Sequence, residues 1–293
     1  MQGEKNLPDY QISSDFSARV KTAAIALLLT LPIILWGKKL PFLFLIGAVT
    51  TLSLKEFYKL TLQGEKFPLF FSALFVSIVL LIWGYYNGNA IPFRSDLVYT
   101  VLLLTTVTFS IFMLSLFNLV QFRYQSYPFL LSLFGLIYIT IPSLLVVMIY
   151  SLRKGEWILF FILSIVWIGD TGAYVIGSRL GRHKLYPAVS PKKTIEGSLG
   201  SLIFSILASL VLTGYLLPEI TLADALLLGL GISVASQLGD LSESLIKRRA
   251  GVKDSGNLFP GHGGMLDRID SLLFAVPFVY FYLWFFVPEC IIP

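Results

Sequence analysis

The most constraining feature of this sequence is a succession of long stretches that contain almost no charged residues. Apolar residues make up 56% of the 293-residue chain and charged residues 13%, whereas soluble domains carry about 25% charged residues. Each stretch is close to the roughly 20 residues that an α-helix needs to cross a bilayer. A backbone in lipid must satisfy its own hydrogen bonds, which an open sheet cannot do. The sequence therefore predicts an all-α, polytopic integral membrane helix bundle.

Nine stretches are candidates for transmembrane helices. We expect a polar N-terminal tail at 1–22, N-terminal transmembrane helices within 23–152, and a C-terminal domain at 153–293 that carries the chemistry. The second stretch is short, which leaves a tilted or re-entrant segment open. Pro142 and Pro277 should end or kink the fifth and ninth helices. The nine stretches are Ala23–Trp36, Leu40–Leu54, Phe67–Tyr85, Leu97–Leu119, Phe129–Tyr150, Trp157–Gly177, Gly197–Leu217, Leu222–Lys247 and Ile269–Val287.

The basic residues are distributed unevenly between the two sides of this arrangement. With nine helices, 17 of the 22 lysines and arginines fall on the side of the N-terminal tail. Because basic loops stay on the cytoplasmic side of a membrane, this distribution predicts a cytoplasmic N-terminus. We expect a bacterial inner membrane, or its equivalent, with the basic loops facing the cytosol. The five residues on the other side are Lys38, Lys39, Arg94, Arg153 and Lys154.

Charged residues reappear near the cytoplasmic ends of the sixth and eighth helices. A carboxylate within a transmembrane helix costs about 3 kcal/mol on insertion scales, so each one requires an explanation. Asp170 lies two turns before the end of the sixth helix, where it could also be a packing residue paired with a neighbouring cation. Asp240, Ser244 and Lys247 share one face of the eighth helix, with Glu243 beside them. Snorkelling at the membrane boundary would account for Lys247, but not for Asp240, which lies more than a turn deeper.

The segment after the eighth helix combines glycines with acids. Four glycines and a proline imply a tight backbone path that can present N–H groups to an anion. Asp267 and Asp270 follow at the start of the ninth helix, where Asp270 could instead be a helix cap. The chain has one cysteine and two histidines, so a zinc site is not expected. Carboxylates in this setting favour a hard cation, most simply Mg²⁺, with further cations left open. The candidate ligands are Asp170, Asp240, Glu243, Asp267 and Asp270.

The loop before the seventh helix supplies another basic segment. Lys192, Lys193 and Thr194 directly precede the helix and could hold phosphates through charge and the helix N-terminus. An ordinary cytoplasmic loop would look similar.

The last third of the chain carries a series of residues at characteristic spacings. They are Ser244-x-x-Lys247-Arg248, Lys253-Asp254, Pro260-x-His262-Gly263-Gly264 and Asp267-Arg268-Ile269-Asp270. This series resembles the phosphatidate cytidylyltransferase family, also called CDP-diacylglycerol synthases, over roughly 157–270. The resemblance implies that CTP and phosphatidic acid react to CDP-diacylglycerol and pyrophosphate in phospholipid biosynthesis. It also implies Mg²⁺ dependence, a cytoplasmic-facing site and a homodimer. No nucleic-acid partner is expected.

The chemistry of this reaction suggests roles for individual residues. Asp240 and Asp267 would be the principal metal ligands, while His262 would donate a hydrogen bond within its loop. Lys247 and Arg248 would act on the phosphates in catalysis. The residues expected to bind substrate are Lys192, Lys193, Thr194, Ser244, Lys253, Asp254, Gly263, Gly264 and Arg268.

Two other functions stay open at this point. A CTP-dependent lipid kinase would need a similar triphosphate site. An ion-coupled transporter would place its acids near the midplane of the membrane, on discontinuous helices. In this sequence the acids cluster at one end of the helices, which favours the transferase.

Overall fold

The structure, a computed structural model, describes residues 24, 27–62, 67–87, 128–259 and 263–287. Within these residues, seven helices are long and apolar enough to cross a membrane. This finding confirms the prediction of a polytopic, predominantly helical membrane protein. The N-terminal tail and the predicted helix Leu97–Leu119 lie outside the described residues, so the count of nine stays a prediction.

Within the described residues, the helices follow one another along the chain and are interrupted once, by a pair of strands. Two strands between the fifth and sixth helices pair in antiparallel fashion, with Lys184 opposite Thr194 and Tyr186 opposite Ser190. The all-α prediction missed this hairpin, because short polar strands carry too few residues to show a period. The elements are α1 Leu27–Trp36, α2 Lys39–Thr61, α3 Phe67–Asn87, α4 in the three segments Pro128–Gly135, Leu136–Thr140 and Ile141–Tyr150, α5 Gly155–Leu180, β1 Lys184–Tyr186, β2 Ser190–Thr194, α6 Ile195–Leu216, α7 Leu222–Arg249, α8 Leu266–Ile269 and α9 Leu272–Phe286.

The second helix is longer than the sequence indicated. It has 23 residues and continues to Thr61, whereas the prediction ended at Leu54 and left a re-entrant segment open. Its last turns bury Ser53, Leu54, Phe57, Tyr58 and Thr61, a spacing that places all five on one helical face. The polar members of this stripe concealed the apolar period. A helix of this length is long enough to cross the hydrocarbon region of a bilayer.

The two prolines affect their helices differently. A π-helical turn, Leu136–Thr140, directly precedes Pro142 in α4. Proline has no N–H and its ring crowds the preceding turn, so the wider turn accommodates it. By contrast, α9 continues through Pro277 to Phe286. The break at this end of the chain falls earlier, between α8 and α9.

Helices α5 and α6 approach each other closely through glycines. A Cβ at Gly200 would lie 2.7 Å from Ile176 Cβ and 2.9 Å from the Gly172 carbonyl oxygen. A Cβ at Gly197 would lie 2.9 Å from the Ala173 carbonyl oxygen. Small residues at such positions let two helix backbones pack together, as is usual in membranes. This contact holds the site-bearing end of α5 against the hairpin and α6.

At the end of the bundle opposite the hairpin, called the far end below, polar contacts link the segments between helices. Lys154 and Glu219 form an ion pair at 2.5 Å, and the Tyr150 hydroxyl donates to the Gly37 carbonyl at 2.5 Å. Between the two ends, one apolar core joins the helices, while Ile203 and Val211 of α6 are exposed and face outward. Outward-facing apolar side chains are expected where the surroundings are lipid.

The α5–α6 contact predicts a sharp difference between two glycines of the same helix. Gly200→Ala should lower the stability of the purified protein by about 1–3 kcal/mol, because the added methyl meets a backbone carbonyl that cannot move aside. Gly214 has no atom within 4 Å of an added Cβ, so Gly214→Ala should leave stability unchanged or slightly higher. Thermal unfolding in detergent measures both. Equal loss in the two variants would contradict the packing described here.

Candidate functional site

The hairpin brings one lysine onto the eighth predicted helix, α7. Lys193 Nζ lies 2.6 Å from Asp240 Oδ2, and both side chains are partly exposed. The Ser244 hydroxyl donates to the other oxygen of Asp240 at 3.3 Å. Arg248 Nε donates to the Val189 carbonyl at 3.2 Å, which ties the hairpin to the end of α7. Lys193, Asp240 and Ser244 are therefore in contact with one another, and Arg248 joins the same helix to the hairpin.

A second lysine, Lys247, lies between two acids. Its Nζ contacts Asp267 Oδ1 at 2.5 Å and also bonds to Glu243 Oε2, one turn earlier on α7. The side chains of Glu243, Lys247 and Asp267 are 0%, 11% and 7% exposed. Charges so far removed from water persist only when paired, so the three side chains form one unit.

Asp267 is held from the other side by the glycine-containing loop. Its Oδ2 accepts hydrogen bonds from the backbone N–H groups of Ser255 and Gly264 and from the Ser255 hydroxyl, each at 2.8 Å. Gly263 has a φ of +81°, and a Cβ there would lie 2.4 Å from Asp267 Oδ2. Only glycine combines this backbone conformation with such a close approach. The loop thus presents the Gly264 N–H to Asp267 rather than to an external anion.

The other predicted acids lie around Asp240. Asp240 is within electrostatic range of both Asp170 and Asp270, as is Lys193. Asp240 and Asp267, expected as the principal metal ligands, instead bond to different lysines. Among the described residues, no three acid, histidine or cysteine side chains are arranged to hold a metal ion. Glu243 Oε1 is buried without a hydrogen-bond partner in this part of the chain.

The remaining predicted residues have varied positions. Lys192, Lys253, Asp254 and Arg268 are exposed. The Thr194 hydroxyl accepts a hydrogen bond from the Gly197 N–H at 3.1 Å and caps α6. The sequence had suggested substrate binding for Thr194 and not this capping role. His262 lies outside the described residues.

One residue of this site, Glu56 of α2, was missed from the sequence. Its carboxylate accepts hydrogen bonds from the Ser255 hydroxyl at 2.9 Å and from the backbone N–H groups of Met265 and Leu266 at 2.9 and 2.8 Å. The prediction ended its helix at Leu54 and so placed Glu56 in a loop. The stripe that continues to Thr61 was the available signal.

An apolar cavity of about 520 Å³ lies directly beside this loop. Helices α1, α2, α4, α5 and α9 supply aliphatic and aromatic walls. Arg268 and Met265 line the cavity at its polar end, next to Asp267 in the chain. Deeper wall residues include Phe42, Ile162 and Val276. A cavity with apolar walls and a cation at one end suits an amphiphile with an anionic head.

The helices and the charged cluster at one end of them define a polytopic membrane protein with a polar site beside an apolar cavity. The chain belongs to the cytidylyltransferase family, whose model matches residues 17–286. It is 36% identical over 261 residues to the phosphatidate cytidylyltransferase of Staphylococcus haemolyticus strain JCSC1435, which covers 88% of this chain and 95% of the relative. Identity to the phosphatidate cytidylyltransferase of Bacillus subtilis strain 168 is 34% over 276 residues, covering 93% and 99%. The resemblance found in the sequence is therefore confirmed.

The buried Glu243–Lys247–Asp267 unit predicts a characteristic pattern of stability. Lys247→Met leaves two buried carboxylates without a counter-charge and should cost about 3–5 kcal/mol. Adding Glu243→Gln should recover part of that loss, because one of the two unpaired charges is then removed. Thermal unfolding in detergent measures both variants.

The exposed ion pair at the far end of the bundle provides the control. Lys154→Met breaks the Lys154–Glu219 pair, where side chains are 33% and 34% exposed, and should change stability by about 0–1 kcal/mol. If the double variant Lys247→Met/Glu243→Gln is no more stable than Lys247→Met alone, Glu243 does not depend on Lys247 for its charge balance.

Proposed function

We propose that this protein transfers the cytidylyl group of CTP to phosphatidic acid, giving CDP-diacylglycerol and pyrophosphate. The observation that carries the proposal is the near full-length similarity to proteins named phosphatidate cytidylyltransferase. The reaction joins a water-soluble nucleotide to a membrane lipid, so it requires a charged site and an apolar space side by side. The cluster around Asp240 and Lys247 and the adjacent cavity supply both.

The chemistry asks the protein chiefly to position charges. A phosphate monoester has a second pKa of about 6, so phosphatidic acid is largely dianionic at neutral pH and needs no strong base. One of its phosphate oxygens attacks the α-phosphorus of CTP, and the bond to pyrophosphate breaks. No covalent intermediate with the protein is required. Nucleophile and leaving group are both anionic, so neutralising charge is the main catalytic contribution.

The cations of the site are suited to different parts of this task. Lys192, Arg248 and Lys253 are exposed and can receive the triphosphate from solution. We assign Arg268, which lines the cavity, to the lipid phosphate. Lys247 is already held by two acids, so we assign it to fixing Asp267 as well as to phosphate binding.

A divalent cation, most simply Mg²⁺, fits the donor chemistry of the site. Carboxylates outnumber the neighbouring lysines, and Glu243 Oε1 is a buried oxygen that lacks a partner among the described residues. Oxygen ligands of this kind select Mg²⁺ over softer metals. The candidates to hold it are Asp170, Asp240, Glu243, Asp267 and Asp270. No three described acids are grouped as a complete site, so one or two of them would bind the ion together with substrate phosphates and water. A second cation stays open. When bound, Mg²⁺ would neutralise charge on the phosphates.

The fate of the phosphates of CTP separates this reaction from the alternatives. Purified protein should incorporate label into extractable lipid from α-labelled CTP and release an equal amount of pyrophosphate, since attack is at the α-phosphorus. A lipid kinase would transfer the γ-phosphate, and a transporter would form no labelled lipid. Thin-layer chromatography of the extracted lipid, with phosphatidic acid as acceptor, measures the outcome.

The controls of the same assay address the metal. Omission of Mg²⁺ with chelator present should abolish incorporation of label. Asp240→Asn should abolish it at every Mg²⁺ concentration at which the wild-type protein is active. Label in lipid from γ-labelled CTP, or none from α-labelled CTP, would overturn the proposed reaction.

We also propose that the site faces the cytosol of a bacterial inner membrane, which gives CTP access to it. The uneven distribution of basic residues supports this orientation. In a Cys290→Ser background, a cysteine introduced by Ala188→Cys in the hairpin should react with an impermeant maleimide in inverted vesicles and not in intact cells. The opposite pattern would reverse the topology. A homodimer remains a prediction that the mass of the detergent-purified protein would check.

A further inference from the structure

We propose that Glu56 is a positioning residue for the reaction, which sets the loop that holds Asp267 and Lys247. Glu56 belongs to the N-terminal half of the chain, on α2, outside the series of residues that carries the family resemblance. Its effect would be exerted through other residues of the site, since its carboxylate bonds to the loop. As a claim about turnover, the inference rests on the proposed function.

The carboxylate of Glu56 has both oxygens occupied by backbone donors. Oε1 accepts from the Met265 N–H and Oε2 from the Leu266 N–H. These N–H groups begin the segment that leads into α8 and have no partner within the helix. A buried or half-buried donor without a partner costs free energy, so Glu56 determines where this turn of backbone can lie.

The Ser255 hydroxyl links Glu56 to the reacting end of the site. It lies 2.9 Å from Glu56 Oε2 and 2.8 Å from Asp267 Oδ2, and its one proton can be donated to either carboxylate. Asp267 in turn contacts Lys247 at 2.5 Å. The contacts therefore form a continuous path of Glu56, Ser255, Asp267 and Lys247.

Two glycines pack directly against the Glu56 carboxylate. A Cβ at Gly264 would lie 2.3 Å from Glu56 Oε2, and one at Gly256 would lie 2.6 Å from Oε1. At Gly256 the three nearest atoms all belong to Glu56. The loop thus closes around this carboxylate with no space for a methyl group. Such a fit is specific to one position of Glu56.

The first test is Glu56→Gln, which keeps the size of the side chain and removes one of its two acceptors. The amide NH₂ group must then face a backbone N–H, so the loop shifts. We expect kcat to fall about 10- to 100-fold, the scale of an ångström-sized misplacement, with the KM values for CTP and phosphatidic acid changed much less. Glu219→Gln, an exposed acid at the far end of the bundle, is the matched control and should retain wild-type kcat.

A double-mutant cycle tests the contact itself. Gly256→Ala displaces the carboxylate without removing it and should lower kcat in the wild-type background. Glu56→Ala makes room for the added methyl, so the same Gly256→Ala change should cost nothing further there. Equal cost of Gly256→Ala in both backgrounds would overturn the proposal.

A measurement independent of turnover separates this inference from the proposed function. Hydrogen exchange of a peptide containing Met265 and Leu266 should be faster in Glu56→Gln than in wild type, because these N–H groups lose an acceptor. Wild-type protein that forms no labelled lipid would refute the proposed reaction and leave this exchange test standing. Unchanged exchange, unchanged kcat, or a loss confined to KM would refute the role of Glu56.

Discussion

The arrangement of this site depends on one buried cation shared by two carboxylates. Lys247 neutralises Glu243 from its own helix and Asp267 from the next segment of the chain. Each partner would be too costly to bury alone, so the pair of contacts joins the end of α7 to the beginning of α8. The loop between them carries Ser255, Gly263 and Gly264, and its backbone is aligned by Asp267. A charge requirement thus determines the path of the loop.

The residue types of the site were predictable from sequence to a useful degree. Carboxylates cost free energy in apolar helices, so Asp170 and Asp240 stood out. The series of residues from Ser244 to Asp270 led to the right family. The pairing of the charges was not predictable. Asp240 bonds to Lys193 from a hairpin, and Asp267 to Lys247 across 20 positions of chain. Such pairings depend on loop geometry, which no local period encodes.

The fold was predictable where helices are long and uniformly apolar. It was less so where polar residues are buried inside the bundle. In α2, Ser53 and Thr61 are fully buried beside Phe57, and this mixture concealed the end of the helix and with it Glu56. The hairpin was missed for a different reason, because its strands of three and five residues are too short to show an alternating pattern. In both cases the average hydropathy of the segment did not reveal the contacts that its individual residues make.

The contact of Glu56 with Met265 and Leu266 joins residues 209 and 210 positions apart. A ribosome adds about 5–20 residues per second, so α2 is complete roughly ten to forty seconds before its partners are synthesised. During this interval none of the three loop residues that bond to the carboxylate has been synthesised. Its position near the end of α2, rather than at the midplane, allows it to stay hydrated until the last helix inserts. The order of synthesis therefore makes assembly of this site one of the final steps in the biogenesis of the protein.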